Sequence, residues 1–210
     1  MYRKYVKRII DFTLSFIAMI VLWPFFLIIA ILIKLDSKGP VFFKQKRVGK
    51  NKKHFYILKF RTMITDAPKD MPTHMLSNPE MFITRVGRFL RKSSLDELPQ
   101  IINILKGEMS IIGPRPALWN QYDLIEERDK YGANDVMPGL TGWAQVNGRD
   151  ELPIAEKAKL DGEYVKNMSL LFDLKIFFMT IKSVLKAEGV KEGLNNVSEQ
   201  TSNTNKGVSS

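Results

Sequence analysis

Ile9–Ile33 reads IIDFTLSFIAMIVLWPFFLIIAILI, 25 almost continuously apolar residues, and nothing else in the chain limits the fold as much. About 20 apolar residues suffice to cross a bilayer, so length alone suggests a straight span. The flanks argue otherwise. Arg3, Lys4, Lys7 and Arg8 precede the stretch, while Lys34, Lys38, Lys44, Lys46 and Arg47 follow it. Basic flanks favour the cytoplasmic side, and a straight span cannot keep both of them there. A helix that enters, turns and leaves can. Pro24 supplies a break, because it has no N–H for the Ile20 carbonyl and its ring crowds that turn. Lipid offers no partner for freed backbone groups. The hydroxyls of Thr13 and Ser15 lie at least a turn before Ile20, which favours a shallow dip. Residues 1–35 are therefore expected to form a re-entrant membrane helix broken at Pro24. Lys7 and Arg8 would mark the membrane boundary, with Asp11 ion-paired to one of them. The apolar run is longer than a signal-peptide core and no small-residue cleavage site follows it.

Lys and Arg outnumber Asp and Glu 32 to 22, a net charge of +10 over 210 residues. Such an excess suits nucleic acid, an anionic membrane face or a phosphorylated substrate. There is no cysteine, and His54 and His74 are the only histidines. Disulfides, thiolate zinc sites and His-rich metal sites are thereby excluded. Any metal must be held by oxygen, which favours Mg²⁺ or Mn²⁺.

The remaining pattern is that of an α+β fold. Val41–Arg47 and His54–Arg61 read as strands joined by the turn Gly49–Lys53, a small β-hairpin. Ile64–Thr84, rich in Pro, Asp, Asn and Met, reads as a loop. Leu98, Ile101, Ile102 and Leu105 recur at helical spacing, and Gly107 ends that helix. Asn120–Tyr131 is a further helix, and Met137–Arg149, with three glycines and one proline, reads as a loop. In Ser169–Ala187 the residues Leu170, Leu171, Leu174, Phe177, Phe178, Ile181, Val184 and Leu185 make one apolar face. That face suits either a protein core or the membrane interface, with Lys175, Lys182 and Lys186 toward headgroups. The expected organisation is a membrane helix over residues 1–35, a compact cytoplasmic catalytic domain with amphipathic interfacial helices over 36–191, and a disordered polar tail over 192–210.

The chemistry concentrates around Asp96-Glu97. Ser94-Leu95-Asp96-Glu97 has capping-box spacing, with Ser94 as N-cap and Glu97 at N3, so both acids can be read as helix-start residues. The same place suits catalysis. A helix N-terminus attracts phosphate and keeps a nearby carboxylate ionised. An ionised Asp can attack phosphorus and form an acyl phosphate. Cations lie on both sides in sequence. Lys59 and Arg61 alternate on a strand and share a face. Arg88 and Arg91 precede the acids, Arg115 is held between Pro114 and Pro116, and Arg149 follows the Gly-rich loop. Each alone reads as a solvated charge. The rigid Pro-Arg-Pro is the best phosphate clamp among them, because a fixed guanidinium binds phosphate in two places at once.

Several segments also occur in one order: Lys59-Phe60-Arg61-Thr62-Met63, Ser93–Gln100, Leu105–Ser110, Gly113-Pro114-Arg115-Pro116 and Pro138–Arg149. From about Tyr2 to Gly193 the chain resembles the bacterial sugar transferases known as small monotopic phosphoglycosyl transferases. The resemblance implies transfer of a phosphosugar from a UDP-sugar to a polyprenyl phosphate, usually undecaprenyl phosphate, with release of UMP. It implies a Mg²⁺ requirement and a ping-pong course through a phosphosugar–enzyme intermediate. It is to the subgroup that starts glycoprotein-glycan, capsule or exopolysaccharide assembly, which implies that role here. It matches Asp96 to the nucleophile, also the expected metal ligand, and Glu97 to the second acid. Lys59, Arg88, Arg115 and Arg149 match substrate cations, and Arg61 is grouped with them by its place beside Lys59. Asp161 and Tyr164 match a weaker Asp-x-x-Tyr pattern assigned to substrate binding. The family's helix turns at a Ser-Pro pair, where this chain has Trp23-Pro24. Met137 stands where a basic residue often precedes the Pro-Gly of the late loop.

A basic membrane scaffold without catalysis is the alternative from another class. It accounts for the flanks at about 1 kcal/mol per cation near anionic lipid. It leaves Pro-Arg-Pro and the Gly-rich loop unexplained. The apolar segment and the lack of a nucleic-acid-binding motif argue against nucleic acid as a partner. Glycoside hydrolysis, which needs carboxylates set apart across a sugar, is a weaker rival. The expected partners are a UDP-sugar, a polyprenyl phosphate and membrane lipid. The sugar and the oligomeric state stay open, a homodimer included.

Overall fold

A computed structural model describes residues 1–68, 78–148 and 152–185. After a π-helical turn at Tyr2–Val6, helix α1 runs Lys7–Asp36. Strands β1 (Phe42–Val48) and β2 (His54–Phe60) pair antiparallel, Phe42 opposite Phe60 and Val48 opposite His54. Their connection is a short 3-10 turn at Lys50–Lys52, where Asn51 and Lys52 take positive φ. Helix α2 (Arg85–Lys92), a 3-10 turn at Leu95–Glu97 and helix α3 (Gln100–Lys106) follow. Next come β3 (Ser110–Ile112), α4 (Tyr122–Asp129), β4 (Gly139–Thr141), a short helix α5 (Trp143–Val146), α6 (Ile154–Asn167) and α7 (Leu170–Leu185). Strands β3 and β4 pair in parallel. The expected tail over 192–210 lies outside the described residues.

The hairpin, the helix ended by Gly107, the Asn120–Tyr131 helix and the long C-terminal helix are all present. Gly107 takes φ 81°, the left-handed conformation that closes α3. The Met137–Arg149 loop is more ordered than its composition suggests, because it contains β4 and α5. Its glycines allow close backbone approach. A Cβ on Gly139 would fall 2.1 Å from the Gly113 nitrogen, so only glycine lets these segments meet. Helices α2 and α6 were not anticipated. In α3 the buried face is Gln100, Ile101, Asn103 and Ile104, while Ile102 and Leu105, and Leu98 just before the helix, are half-buried.

Helix α1 is not interrupted at Pro24; helical backbone continues to Asp36. Proline removes one hydrogen bond from a 30-residue ladder, and its fixed φ is itself helical. The burial pattern is informative. Lys7, Asp11 and Ser15 are buried at one end, Ile29 and Ile33 at the other. Between them Phe16, Ile17, Ile20, Val21, Trp23 and Phe25 are exposed. At the far end Ile29 and Ile33 join Phe60 and Leu90 in one core cluster, with Val41, Leu95 and Leu98 against it. Both ends of α1 thus dock on the same body.

At the near end Lys7 and Arg8 both have partners within the protein. Lys7 points inward and pairs with Asp173 of α7 at 2.6 Å. The same carboxylate accepts from the hydroxyls of Tyr2 (2.5 Å) and Tyr164 (2.8 Å). Arg8 donates to the carbonyls of Ile104 (2.6 Å) and Leu105 (3.1 Å), capping α3. Asp11 accepts from Ser110 Oγ (2.7 Å) and the Ile111 amide (3.1 Å), rather than hydrogen-bonding either cation. Helix-end carbonyls and a buried carboxylate engage these side chains. On α7 the side turned inward carries Asp173 and Ile176, while Leu170, Leu171, Leu174, Phe177, Phe178 and Ile181 are exposed.

Asp173 holds three elements at once, so its loss has a defined cost. Asp173→Ala leaves the Lys7 ammonium buried without a counter-charge and should destabilise the protein by about 3–5 kcal/mol. Thermal unfolding in detergent reads this. The paired change Lys7→Met with Asp173→Leu should recover most of the loss; failure to recover would mean the carboxylate acts through its tyrosine partners instead.

Candidate active site

Three separate segments bring the site together. Lys59 is the penultimate residue of β2. Its neighbour Phe60 is 1% exposed in the core, which turns Lys59 to the opposite face. Asp96 and Glu97 lie in the 3-10 turn after α2, and Arg115 lies in the Gly113–Pro116 segment after β3. Asn103 fastens α3 to β2, accepting from the Leu58 amide (3.0 Å) and donating to the Tyr56 carbonyl (2.8 Å). That bond pair sets the acids against the end of the strand.

The expected capping box is absent. Ser94 has φ 57° and makes no side-chain cap, and α3 starts later, behind Pro99. Glu97 faces cations instead of the backbone. Lys59 Nζ lies 2.7 Å from Glu97 Oε1, and Arg115 Nη2 lies 2.6 Å from the same oxygen. Arg115 Nη1 reaches Oε2 at 3.3 Å, completing a two-pronged contact. Two charged donors offer more than one backbone amide, which is why local spacing misleads here.

Asp96 is held differently. Its carboxylate lies 3.9 Å from Lys59 Nζ, and among the described residues it accepts no hydrogen bond. Its side chain is 13% exposed. Burial pushes the Asp96 carboxyl above the usual range, against the pull of Lys59, and the charge of Glu97 adds to the rise. Burial acts on Glu97 in the same direction. There Arg115 and then Lys59 prevail, by charge and by hydrogen bonding, and hold the carboxyl well below the usual range. Adjacent acids are thus driven apart: one saturated and firmly ionised, the other with open lone pairs.

The expected cations divide. Lys59 and Arg115 converge on the acids. Arg61 does not: it donates to the carbonyls of Ser37 (2.7 Å) and Lys38 (2.5 Å) and to Ser37 Oγ (3.0 Å). It is 5% exposed and closes the C-terminus of α1, where free carbonyls attract a cation. Arg88 lies on the exposed face of α2, paired with Glu80 at 2.8 Å. Its neighbour one turn on, Arg91, is the one whose charge acts on Asp96. Arg149 lies outside the described residues.

Asp161 and Tyr164 are both fully buried and bound within the protein. Tyr164 donates to Asp173, and Asp161 pairs with Arg128 at 2.6 Å. Neither side chain is open to a substrate in this arrangement, because each is already engaged. Arg128 was not anticipated; nothing local marks a helix arginine whose partner lies 33 positions away.

Among the described residues no group of three or more His, Asp or Glu is placed to hold a metal. Glu97 is occupied by cations, so Asp96 is the remaining carboxylate. One carboxylate with substrate phosphates and water is a common Mg²⁺ arrangement, and the site fits an ion held that way.

Residues 2–187 match the bacterial sugar transferase family. The chain is 42% identical over 186 residues to the undecaprenyl-phosphate glucose phosphotransferase of Komagataeibacter xylinus, covering 84% of this chain but 35% of that protein. It is 40% identical over 186 residues to the uncharacterized sugar transferase EpsL of Bacillus subtilis, covering 89% and 90%. It is 38% identical over 197 residues to the exopolysaccharide production protein ExoY of Sinorhizobium fredii, covering 87% of each. The chain thus spans about a third of the Komagataeibacter protein and nearly all of the other two. With Lys59, Asp96, Glu97 and Arg115 gathered in one site, the chain belongs to the bacterial sugar transferases, a family of phosphoglycosyl transferases.

Proposed function

We propose that this chain transfers a sugar phosphate from a UDP-sugar to undecaprenyl phosphate, releasing UMP, with Asp96 as the nucleophile. One observation carries the reading: Glu97 is saturated by Lys59 and Arg115, while the adjacent Asp96 keeps open oxygens beside the same cations. An Asp96 oxygen attacks the phosphorus that bears the sugar. The bond from that phosphorus to the bridging oxygen breaks, and its electron pair leaves with UMP. A phosphate oxygen of the lipid acceptor then attacks the same phosphorus, forming a diphosphate bond and freeing the Asp96 carboxylate. No net proton is taken up. Lys59 and Arg115 neutralise the charge that builds on phosphate oxygens, an effect worth most in a water-poor site. Mg²⁺, held by Asp96 with diphosphate oxygens, would supply further charge neutralisation.

The membrane reading rests on α1. A 30-residue helix is about 45 Å long. With both ends on one body and an exposed apolar middle, it suits a helix that bends at Pro24 without losing helical backbone and dips into one leaflet rather than a span. The exposed apolar side of α7 suits the same interface. Both substrates would then meet at the cytoplasmic face, where basic flanks are retained. The names of the Komagataeibacter and Sinorhizobium relatives support a lipid-linked start to exopolysaccharide assembly.

Purified protein with UDP-glucose and undecaprenyl phosphate should release UMP. A panel of other UDP-sugars identifies the preferred donor. Asp96→Asn keeps the shape of the turn and should stop release, because the amide cannot attack; an active Asn variant, deamidation excluded, would sink the assignment.

The pH dependence has a definite sign. Asp96 must be ionised to attack, and burial raises its carboxyl, so UMP release should fall with acid at a pH above the ordinary Asp value of about 3.9. Lys59 opposes that rise. Lys59→Gln should therefore move the acid limb of the rate profile to higher pH; a limb that moves down or stays put contradicts the role of Lys59.

EDTA should abolish UMP release and Mg²⁺ restore it, as expected for an oxygen-held ion. Full turnover in metal-free buffer refutes the metal requirement. Because the chain has no cysteine, single cysteines at the exposed Lys4 and Lys38 report topology directly. Both should react with an impermeant reagent only from the cytoplasmic side, and periplasmic labelling of position 4 would show a span.

A further inference from the structure

Arg115 sits between two residues that have no N–H, so its segment is fastened through carbonyls. The Gly139 amide holds the Pro114 carbonyl at 2.9 Å, and Arg47 Nη1 holds that of Pro116 at 3.0 Å. The carbonyl between them, that of Arg115 itself, accepts from Arg128 Nη1 at 2.9 Å. Arg128 comes from α4 and is locked from behind. Its Nε (2.8 Å) and Nη2 (2.6 Å) both donate to Asp161 Oδ2 on α6. The two side chains are 4% and 0% exposed.

We infer that the buried Arg128–Asp161 pair is a positioning device for Arg115, setting its backbone so that the guanidinium meets Glu97. The inference rests on the transfer site described above. A buried ion pair explains little about stability, because well-packed apolar residues often serve as well in its place. Asp161 Oδ1 is buried without a hydrogen-bond partner among the described residues, so this pair is not even fully satisfied. What apolar residues cannot supply is the third bond, which leaves the pair and ends on Arg115. Arg128 and Asp161 touch no reacting atom and act through the turn. Asp161, matched by sequence to substrate binding, thereby acquires a role one step removed from substrate.

The test is a mutant cycle. The paired change Arg128→Met with Asp161→Leu replaces the ion pair with apolar side chains. It is made in the parent and in Arg115→Ala, and each protein is measured for thermal unfolding and for kcat/KM with the UDP-sugar. Alone, the paired change should leave the unfolding temperature near the parent's and lower kcat/KM about 10-fold, the scale of a lost charged hydrogen bond. In Arg115→Ala it should cost less than about 2-fold, since the residue it positions is gone. Equal losses in both backgrounds indicate a general structural role and overturn the inference, as does no loss in the parent. If the paired variant does not fold, Arg128→Lys keeps the charge opposite Asp161 but loses the planar fork, and the same comparison applies. A readout independent of turnover separates this inference from the transfer reading. The ¹⁵N order parameter of the Arg115 Nε–H should be high in the parent and fall in the paired variant. An inactive parent that still shows this fall counts against the transfer site and for the positioning role. An unchanged order parameter overturns the positioning role.

Discussion

The Glu97 carboxylate is the meeting point on which the site depends. Lys59 reaches it from the end of a strand, Arg115 from a proline-bounded turn, and neither segment is near the acids in sequence. Each cation alone would be a modest contact. Together in a half-buried place they overcome the desolvation of Glu97 and fix two backbone segments relative to the turn that carries Asp96. The arrangement leaves Asp96 beside positive charge but without a hydrogen bond that would occupy its oxygens. Adjacent acids with opposed environments can hold separate roles, one as an anchor and one as a nucleophile. Asp161 and Arg128 extend the same logic one layer outward.

The core beneath the site is continuous with the membrane helix. Phe60, next to Lys59, packs with Ile29 and Ile33 of α1, and Leu95 and Leu98, which flank the acids, lie against the same cluster. Arg61 ties the end of α1 to the end of β2. The helix with the exposed apolar middle therefore shares a core with the residues that align Lys59 and Asp96. Under the proposed transfer, a nucleotide sugar must meet a lipid near the interface, and this packing would keep Asp96 close to α1.

What the sequence made legible was local. Alternation and turn residues disclosed the hairpin, Gly107 the end of α3, and apolar periodicity the long α7. Asp96, Glu97, Lys59 and Arg115 were identified from chemistry and resemblance together. At the acids and the cations the differences come from competition by distant partners. Ser94–Glu97 has capping-box spacing, yet two cations from elsewhere draw Glu97 away. Arg88 and Arg91 look equivalent in the chain, but a helix turns only one toward Asp96. Lys7, Arg8 and Arg61 read as lipid or substrate cations, while buried carboxylates and helix-end carbonyls engage them. Helix α2, short and interrupted in pattern by Gly87 and its many cations, gives little apolar periodicity to read. Pro24 lies inside an unbroken run of helical backbone from Lys7 to Asp36.

The central claim is that Asp96 forms a covalent bond to the sugar phosphate. Intact-mass measurement of the purified protein incubated with UDP-glucose and Mg²⁺, without lipid acceptor, tests it most directly. The account predicts a mass increase of one hexose phosphate, located by peptide mapping to Asp96 and discharged when undecaprenyl phosphate is added. UMP release that requires the acceptor and never leaves an adduct, or an adduct on a different residue, would contradict it.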